Sequence, residues 1–226
     1  MSAAAPDRGL SIRDVKIQLD GEILVALDAT ISAGNVLTVM GPSGVGKSTL
    51  LAFIGGFLGG DFRATGRIIV NGRDVTVLPP ERRGIGMLFQ DALLLPHLSV
   101  AGNLLIGLDP AIRGRAARRL AVEAALDEVG LAGFAERDPA TLSGGQAARV
   151  ALMRTLLSRP EALILDEPFS RLDVALRAQV RELVFAEARK HGLPVLLVTH
   201  DPADAAAAGG DVVQFSETPQ SGGPKG

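Results

Sequence analysis

Eight residues, Gly41-Pro42-Ser43-Gly44-Val45-Gly46-Lys47-Ser48, carry the first recognisable chemistry in the chain. They fit the spacing G-x-x-x-x-G-K-[ST], and Thr49 follows. Glycines let such a loop curl until its backbone N–H groups face phosphate oxygens. Lys47 can then reach the β- and γ-phosphates of a nucleotide, and the Ser48 hydroxyl can ligate Mg²⁺. The competing reading is a glycine-rich turn with a surface lysine. The flanks argue against it: an apolar run, Val36–Met40, precedes the loop and a helical stretch follows.

A nucleotide site of this kind needs a carboxylate at the end of a neighbouring strand, and Leu163-Ile164-Leu165-Asp166 supplies one. Asp166 is expected to hold the metal. Glu167, next in line, suits the orientation or deprotonation of an attacking water. Alone, the pair reads as a solvated strand end; the upstream loop reverses that. A second anion grip lies in "TLSGGQAARVA", Thr141–Ala151. Adjacent glycines are costly inside a helix, so Ser143-Gly144-Gly145-Gln146 belongs at a helix mouth, where backbone N–H groups are free.

The surrounding pattern says what positions these groups. Leu10–Ile31 alternates apolar and polar residues around Asp20-Gly21, as two antiparallel strands and a turn would. Val36–Met40, Ala162–Glu167 and Pro194–His200 are short apolar runs of the buried-strand type. Arg67–Val70 and Gly84–Phe89 read as further strands. From Asp91 to Ser158 the pattern is helical, with Leu120 and Ala124, and Val122, Leu126 and Val129, at helical spacing. Leu176, Val180, Leu183 and Val184 predict one face of a later helix. The whole is an α/β fold: a P-loop core, an N-terminal antiparallel β-subdomain and a helical insert. One domain is expected over 8–216, with the helical subdomain at 91–158 and a disordered Pro/Gly/Ser-rich tail at 217–226.

Composition narrows the function classes. At 226 residues, 47% hydrophobic and 21% charged, the chain can bury a sizeable core. A net charge of −2 offers no basic field, and no nucleic-acid partner is expected. The absence of cysteine excludes disulfides and thiolate metal sites. The N-terminus lacks the regions of a signal peptide, and no stretch is long and apolar enough to predict a membrane span.

Taken together, "GPSGVGKST", Phe89-Gln90, "LSGGQ", "LILDEP", "SRLD" at Ser170–Asp173 and "VTHD" at Val198–Asp201 resemble the ordered motif set of ATP-binding cassette (ABC) ATPases. The resemblance spans Leu10 to Phe215. It implies that two copies pack head to tail, each ATP lying between one copy's P-loop and the other's Ser143-Gly144-Gly145-Gln146. It also implies that Gln90 touches Mg²⁺ and the attacking water, that His200 holds the γ-phosphate and orients the water with Glu167, and that Asp173 crosses the interface. Arg149 stands where relatives often have arginine; a solvated helix charge is the alternative. His97 and His191 match no motif.

Within the family the chain looks most like ATPase subunits of importers for small solutes: thiamine, oxyanions, iron or polyamines. The alternatives are an exporter subunit and a non-transport ABC ATPase. Relatives often carry a C-terminal regulatory domain; none is expected here after Phe215. The resemblance places the protein at the cytoplasmic face of the membrane, against a permease docking near Gln90–Leu98 and, indirectly, a solute-binding protein. At least two of Ala92, Leu93, Leu94, Leu95, Pro96 and Leu98 are expected to be exposed there, with Leu94→Glu as the disrupting change. One departure stands out. Relatives stack an aromatic ring on adenine, but Lys16–Leu27 has none, and Gln18 or Leu19 takes its place. Losing such a stack forfeits about 1–3 kcal/mol, so weaker adenine affinity or looser base selectivity is expected.

Overall fold

Two sheets meet at the loop Gly41–Ser48. The computed structural model describes residues 8–216, so the tail expected at 217–226 lies outside the described residues. The first sheet is antiparallel. Its strands are β1 (Gly9–Leu19), β2 (Glu22–Ser32), β4 (Phe62–Val70) and β5 (Arg73–Asp74), in the order β2-β1-β4-β5. Asp20 and Gly21 form the two-residue turn between β1 and β2, both with positive φ (50° and 86°), as a tight hairpin demands. Strand β4 begins five residues before the run Arg67–Val70. Its early half pairs with Lys16–Leu19, past a register shift in β1 that the alternation does not reveal.

The second sheet is parallel: β3 (Val36–Met40), β6 (Ile85–Leu88), β7 (Ala162–Asp166), β8 (Val195–Val198) and β9 (Asp211–Gln214), in the order β6-β7-β8-β3-β9. Its central strands are buried on both faces, which is why they read as unbroken apolar runs. Alternate residues serve different cores. Leu163, Leu165, Val195 and Leu197 pack on the helical side. Ala162, Ile164, Leu196 and Val198 pack with α1 (Lys47–Gly55) and the first sheet.

The helical side comprises α2 (Val100–Gly107), α3 (Arg115–Glu128), α4 (Gly144–Leu157) and α5 (Val174–Lys190); α6 (Pro202–Ala208) follows β8. Helix α4 is central, packing on α2, α3 and α5. On α3 the buried stripe is Val122, Ala125 and Leu126, with Val129 just beyond. Leu120, expected to join a core face, is 65% exposed, because α3 is covered along one stripe only and Leu120 stands about 200° around the helix from Val122. On α5, Val180 and Val184 are buried, while Leu176 and Leu183 are half-buried against the same core. Residues 91–99, inside the span read as helical, are irregular. They are held by Asn103, whose side chain accepts from Leu95 N–H (2.7 Å) and donates to Leu95 C=O (3.1 Å).

Candidate active site

The first grip lies between the end of β3 and the start of α1. Gly46 caps α1 in the left-handed region (φ 96°), and a Cβ there would meet Val25 at 2.5 Å, so both conformation and space demand glycine. Lys47 is buried, and its ammonium donates to the carbonyls of Gly41 and Pro42, each at 2.7 Å. An ammonium has three donors, so one is left for the cleft. That cleft, of about 300 Å³, is lined by Ser43, Gly44, Gly46, Lys47, Ser48 and Thr49 on one side. Gln90, Asp166 and Glu167 line the other. Val45 is buried beneath the loop.

Asp166 ends β7, and Ser48 Oγ donates to its Oδ2 at 3.4 Å. Burial, and then the neighbouring Glu167, push the Asp166 carboxyl above its ordinary range, against the pull of Ser48 and Lys47. Two adjacent carboxylates, a hydroxyl and the Gln90 amide around one cleft form an all-oxygen donor set. Ser48, Asp166 and Gln90 therefore fit a hard divalent cation such as Mg²⁺.

Glu167 has φ 45°, an uncommon conformation for a glutamate, and its N–H donates to Val198 C=O (2.9 Å). Its carboxylate Oε1 lies 3.1 Å from His200 Nδ1. Thirty-three positions separate the two in sequence. They meet because β7 and β8 are parallel neighbours ending on the same edge of the sheet.

The second grip is built differently. Ser143 is the N-cap of α4. Its Oγ accepts from Gln146 N–H, and Gln146 Oε1 accepts from Ser143 N–H: a capping box. Gly144 and Gly145 N–H find no acceptor among the described residues. A Cβ on Gly145 would strike Leu176 at 2.5 Å, so close packing against α5 adds to the demand for glycine. Gly144 does not line the P-loop cleft but a separate groove of about 410 Å³. Asp173, the N-cap of α5, accepts from Leu176 N–H (3.0 Å) and is exposed. The structure thus gathers Lys47, Ser48, Gln90, Asp166, Glu167 and His200, and keeps Ser143, Gly144, Gly145, Gln146 and Asp173 elsewhere.

Gln90 lines both the cleft and the groove. The groove is apolar, with Ala92, Leu93 and Leu94 on one wall and Ala147, Ala148 and Ala151 on another. Leu93 (54%) and Leu95 (36%) are exposed, while Leu94 is half-buried against the helical core. Arg154 of α4 secures this wall, donating to Leu93 C=O (2.8 Å) and Ala92 C=O (3.0 Å); burial lowers its pKa.

Sequence reasoning missed the arginines. Arg149 is no solvated charge: it donates to Val129 C=O and to Gln179. Buried Arg83 donates to Phe53 and Ile54 carbonyls at the end of α1 and to those of Thr76 and Leu78. Arg177 and Arg181 of α5 bind Asp201 and Asp204. In sequence they look like the polar face of a helix, and only the i,i+4 spacing of Arg177 and Arg181 hints at a shared target.

Comparison with known proteins agrees with this geometry. The ABC transporter family matches residues 24–170. The uncharacterized ABC transporter ATP-binding protein YnjD of Escherichia coli is 48% identical over 92% of this chain and 97% of its own. The thiamine import ATP-binding protein ThiQ of Cereibacter sphaeroides is 49% identical over 82% of this chain and 79% of its own. A solved ABC transporter, described as metal-chelate type and inward-facing, superposes with a TM-score of 0.75. It shares 26% identity, covering 92% of this chain and 80% of that one.

Proposed function

The chain belongs to the ABC transporter family as an ATP-binding subunit of the import type, an ATPase, and from that premise we propose how its two grips work. Two copies pack head to tail and enclose two ATP molecules. The P-loop amides and Lys47 of one copy hold the β- and γ-phosphates. Ser143 and the free Gly144 and Gly145 amides of the other close on the γ-phosphate, with Asp173 crossing beside them. Glu167 accepts the proton of the attacking water, and His200, 3.1 Å from it, orients that water against the γ-phosphate. Ser48, Asp166 and Gln90 would hold Mg²⁺, which would supply positive charge against the phosphates. Neither copy alone is complete, so ATP joins them and hydrolysis lets them part.

The solute is small: of the class of thiamine, iron or a polyamine, as import systems named for relatives suggest, or an oxyanion. The permease seats a short segment in the groove between Gln90–Leu98 and α4, and a solute-binding protein acts through it. No described helix is long and apolar enough to cross a membrane. In this reading the chain joins the membrane through that permease, at the cytoplasmic face.

The observation that carries this reading is the second grip: two glycine amides without an acceptor among the described residues, at a capped helix mouth that does not line the same chain's P-loop cleft. The test is Glu167→Gln with ATP. It should bind nucleotide, lose turnover and sediment as a dimer. In gentle detergent it should bring down a polytopic membrane protein, and Leu93→Glu should abolish that recovery while sparing ATP binding. Leu93 replaces Leu94 as the site of change because Leu94 also packs in the core. A monomer with ATP, or recovery of soluble partners alone, would sink the reading.

A further inference from the structure

Helix α5 passes behind the Glu167–His200 pair. Arg177 sits one turn into it and spreads its guanidinium over two separate segments. Nη1 donates to Asp201 Oδ2 at 2.8 Å, and Asp201 directly follows His200. Nη2 donates to Ser170 C=O (3.3 Å) and Leu172 C=O (3.2 Å). Ser170 is tied to Glu167 in turn: its Oγ donates to Glu167 C=O at 2.8 Å and its N–H to the same oxygen at 3.2 Å. One planar fork therefore grips the turn that leaves Glu167 and the residue that leaves His200. The side chains of those two meet at 3.1 Å, and Glu167 holds an uncommon backbone conformation.

The neighbouring arginine gives the contrast. Arg181 lies one turn further along the same helix and donates to Asp204 Oδ1 at 3.0 Å. Asp204 is buried and also accepts from Thr199 Oγ1 (3.0 Å). Among the described residues Arg181 makes no hydrogen bond to residues 170–172. It anchors α6 to α5, whereas Arg177 spans the two segments that carry the catalytic pair.

We propose that Arg177 is a positioning residue for hydrolysis: its fork sets the separation and aim of Glu167 and His200. The inference rests on the proposed catalytic role of Glu167. It touches neither the nucleotide cleft nor the groove, so its loss should leave binding intact and slow the chemical step. Lysine is a point charge and can hold one of these segments but not both. A displacement of about 1 Å in a catalytic group can cost about a hundredfold in rate.

The experiment compares Arg177→Lys with Arg181→Lys in the full chain, reading kcat, KM, ATP affinity and Tm. Arg177→Lys should lose about ten- to a hundredfold in kcat with ATP affinity held within about threefold. Arg181→Lys can keep its single bond and should stay within about twofold in kcat. Asp201→Asn retains Oδ1, which caps α6, but loses the charge facing Arg177; it should lower kcat, and combining it with Arg177→Lys should add little. If Arg177→Lys does not fold, Asp201→Asn is read by the same criteria. Unchanged kcat in Arg177→Lys overturns the proposal, as do equal losses in both lysine variants or a parallel loss of binding and turnover. Glu167→Gln separates the two levels. If it hydrolyses ATP normally, the catalytic assignment falls and this inference with it. If it is inactive while Arg177→Lys is fully active, this inference falls alone.

Discussion

The two anion grips of this chain are built in opposite ways. The P-loop, Gly41–Ser48, is surrounded: Lys47 is folded onto its carbonyls, and Gln90, Asp166 and Glu167 close the far side of its cleft. The second, Ser143–Gln146, satisfies only itself. Its capping box stabilises the start of α4 and leaves two glycine amides without an acceptor among the described residues. The first grip can bind a nucleotide within one chain. The second lies on a groove apart from that cleft, which fits the proposal that another copy brings the phosphate to it.

The strongest way to break that contrast is Lys47→Ala. It removes a buried charged donor aimed at phosphate, worth about 1.5–3 kcal/mol, so ATP affinity should fall by about ten- to a hundredfold in calorimetry. Undiminished affinity would mean the P-loop is not the primary grip. Next comes Ser143→Ala. The first-site affinity of the monomer should be unchanged, while turnover and ATP-dependent dimerisation drop; loss of the cap should cost about 1 kcal/mol of stability. A weaker monomer Kd would mean that both grips serve the same nucleotide.

A smaller effect concerns the base. Lys16–Leu27 carries no ring of its own; Gln18 pairs across strands with Ile23 and Arg63, and Leu19 lies opposite Phe62. ATP and GTP should bind within about threefold of each other, and both more weakly than with a stacked ring, which is worth about 1–3 kcal/mol, or roughly five- to a hundredfold in affinity. Strong preference for ATP in competition binding would show that another group reads the base.

The smallest is a pH effect at the rim. The Asp201 carboxyl is held below its ordinary range, chiefly by the Ala203 N–H, with Arg177 assisting and burial opposing. A lowered carboxylate pKa adds stability that is present above about pH 4 and lost as the pH falls through the folded value. Acid unfolding of the wild type should therefore steepen below about pH 4 relative to Asp201→Asn; parallel curves would remove Asp201 from the acid response.

Much of this is legible in the sequence alone. Asp20-Gly21 announced its hairpin, and the unbroken apolar runs announced strands buried on both faces. "SGGQ" could sit only at a helix mouth. Each of these depends on neighbours within a few residues. The exceptions follow the same logic. Leu120 has helical spacing but faces water, because nothing in its own turn says which stripe α4 will cover. The early half of β4 is held by a partner strand more than forty residues away. The arginines were silent because their acceptors are mostly backbone carbonyls and distant carboxylates, which leave no pattern in the chain.

By itself, then, the sequence determined the local chemistry: a glycine-permitted loop ending in Lys47 and Ser48, a self-capped start to α4, and carboxylates ending an apolar strand. Backbone sterics and short-range hydrogen bonds settle such features wherever the segment is placed. Only the tertiary structure decided that Asp166, Glu167 and His200 share one edge with the P-loop, that the second grip opens onto another groove, and that Arg177 spans the segments leaving Glu167 and His200. Those outcomes follow from the strand order β6-β7-β8-β3-β9 and the packing of α5. Apolar burial drives that packing but carries no direction of its own, so the shapes of whole layers, and not any motif, set which strand ends become neighbours.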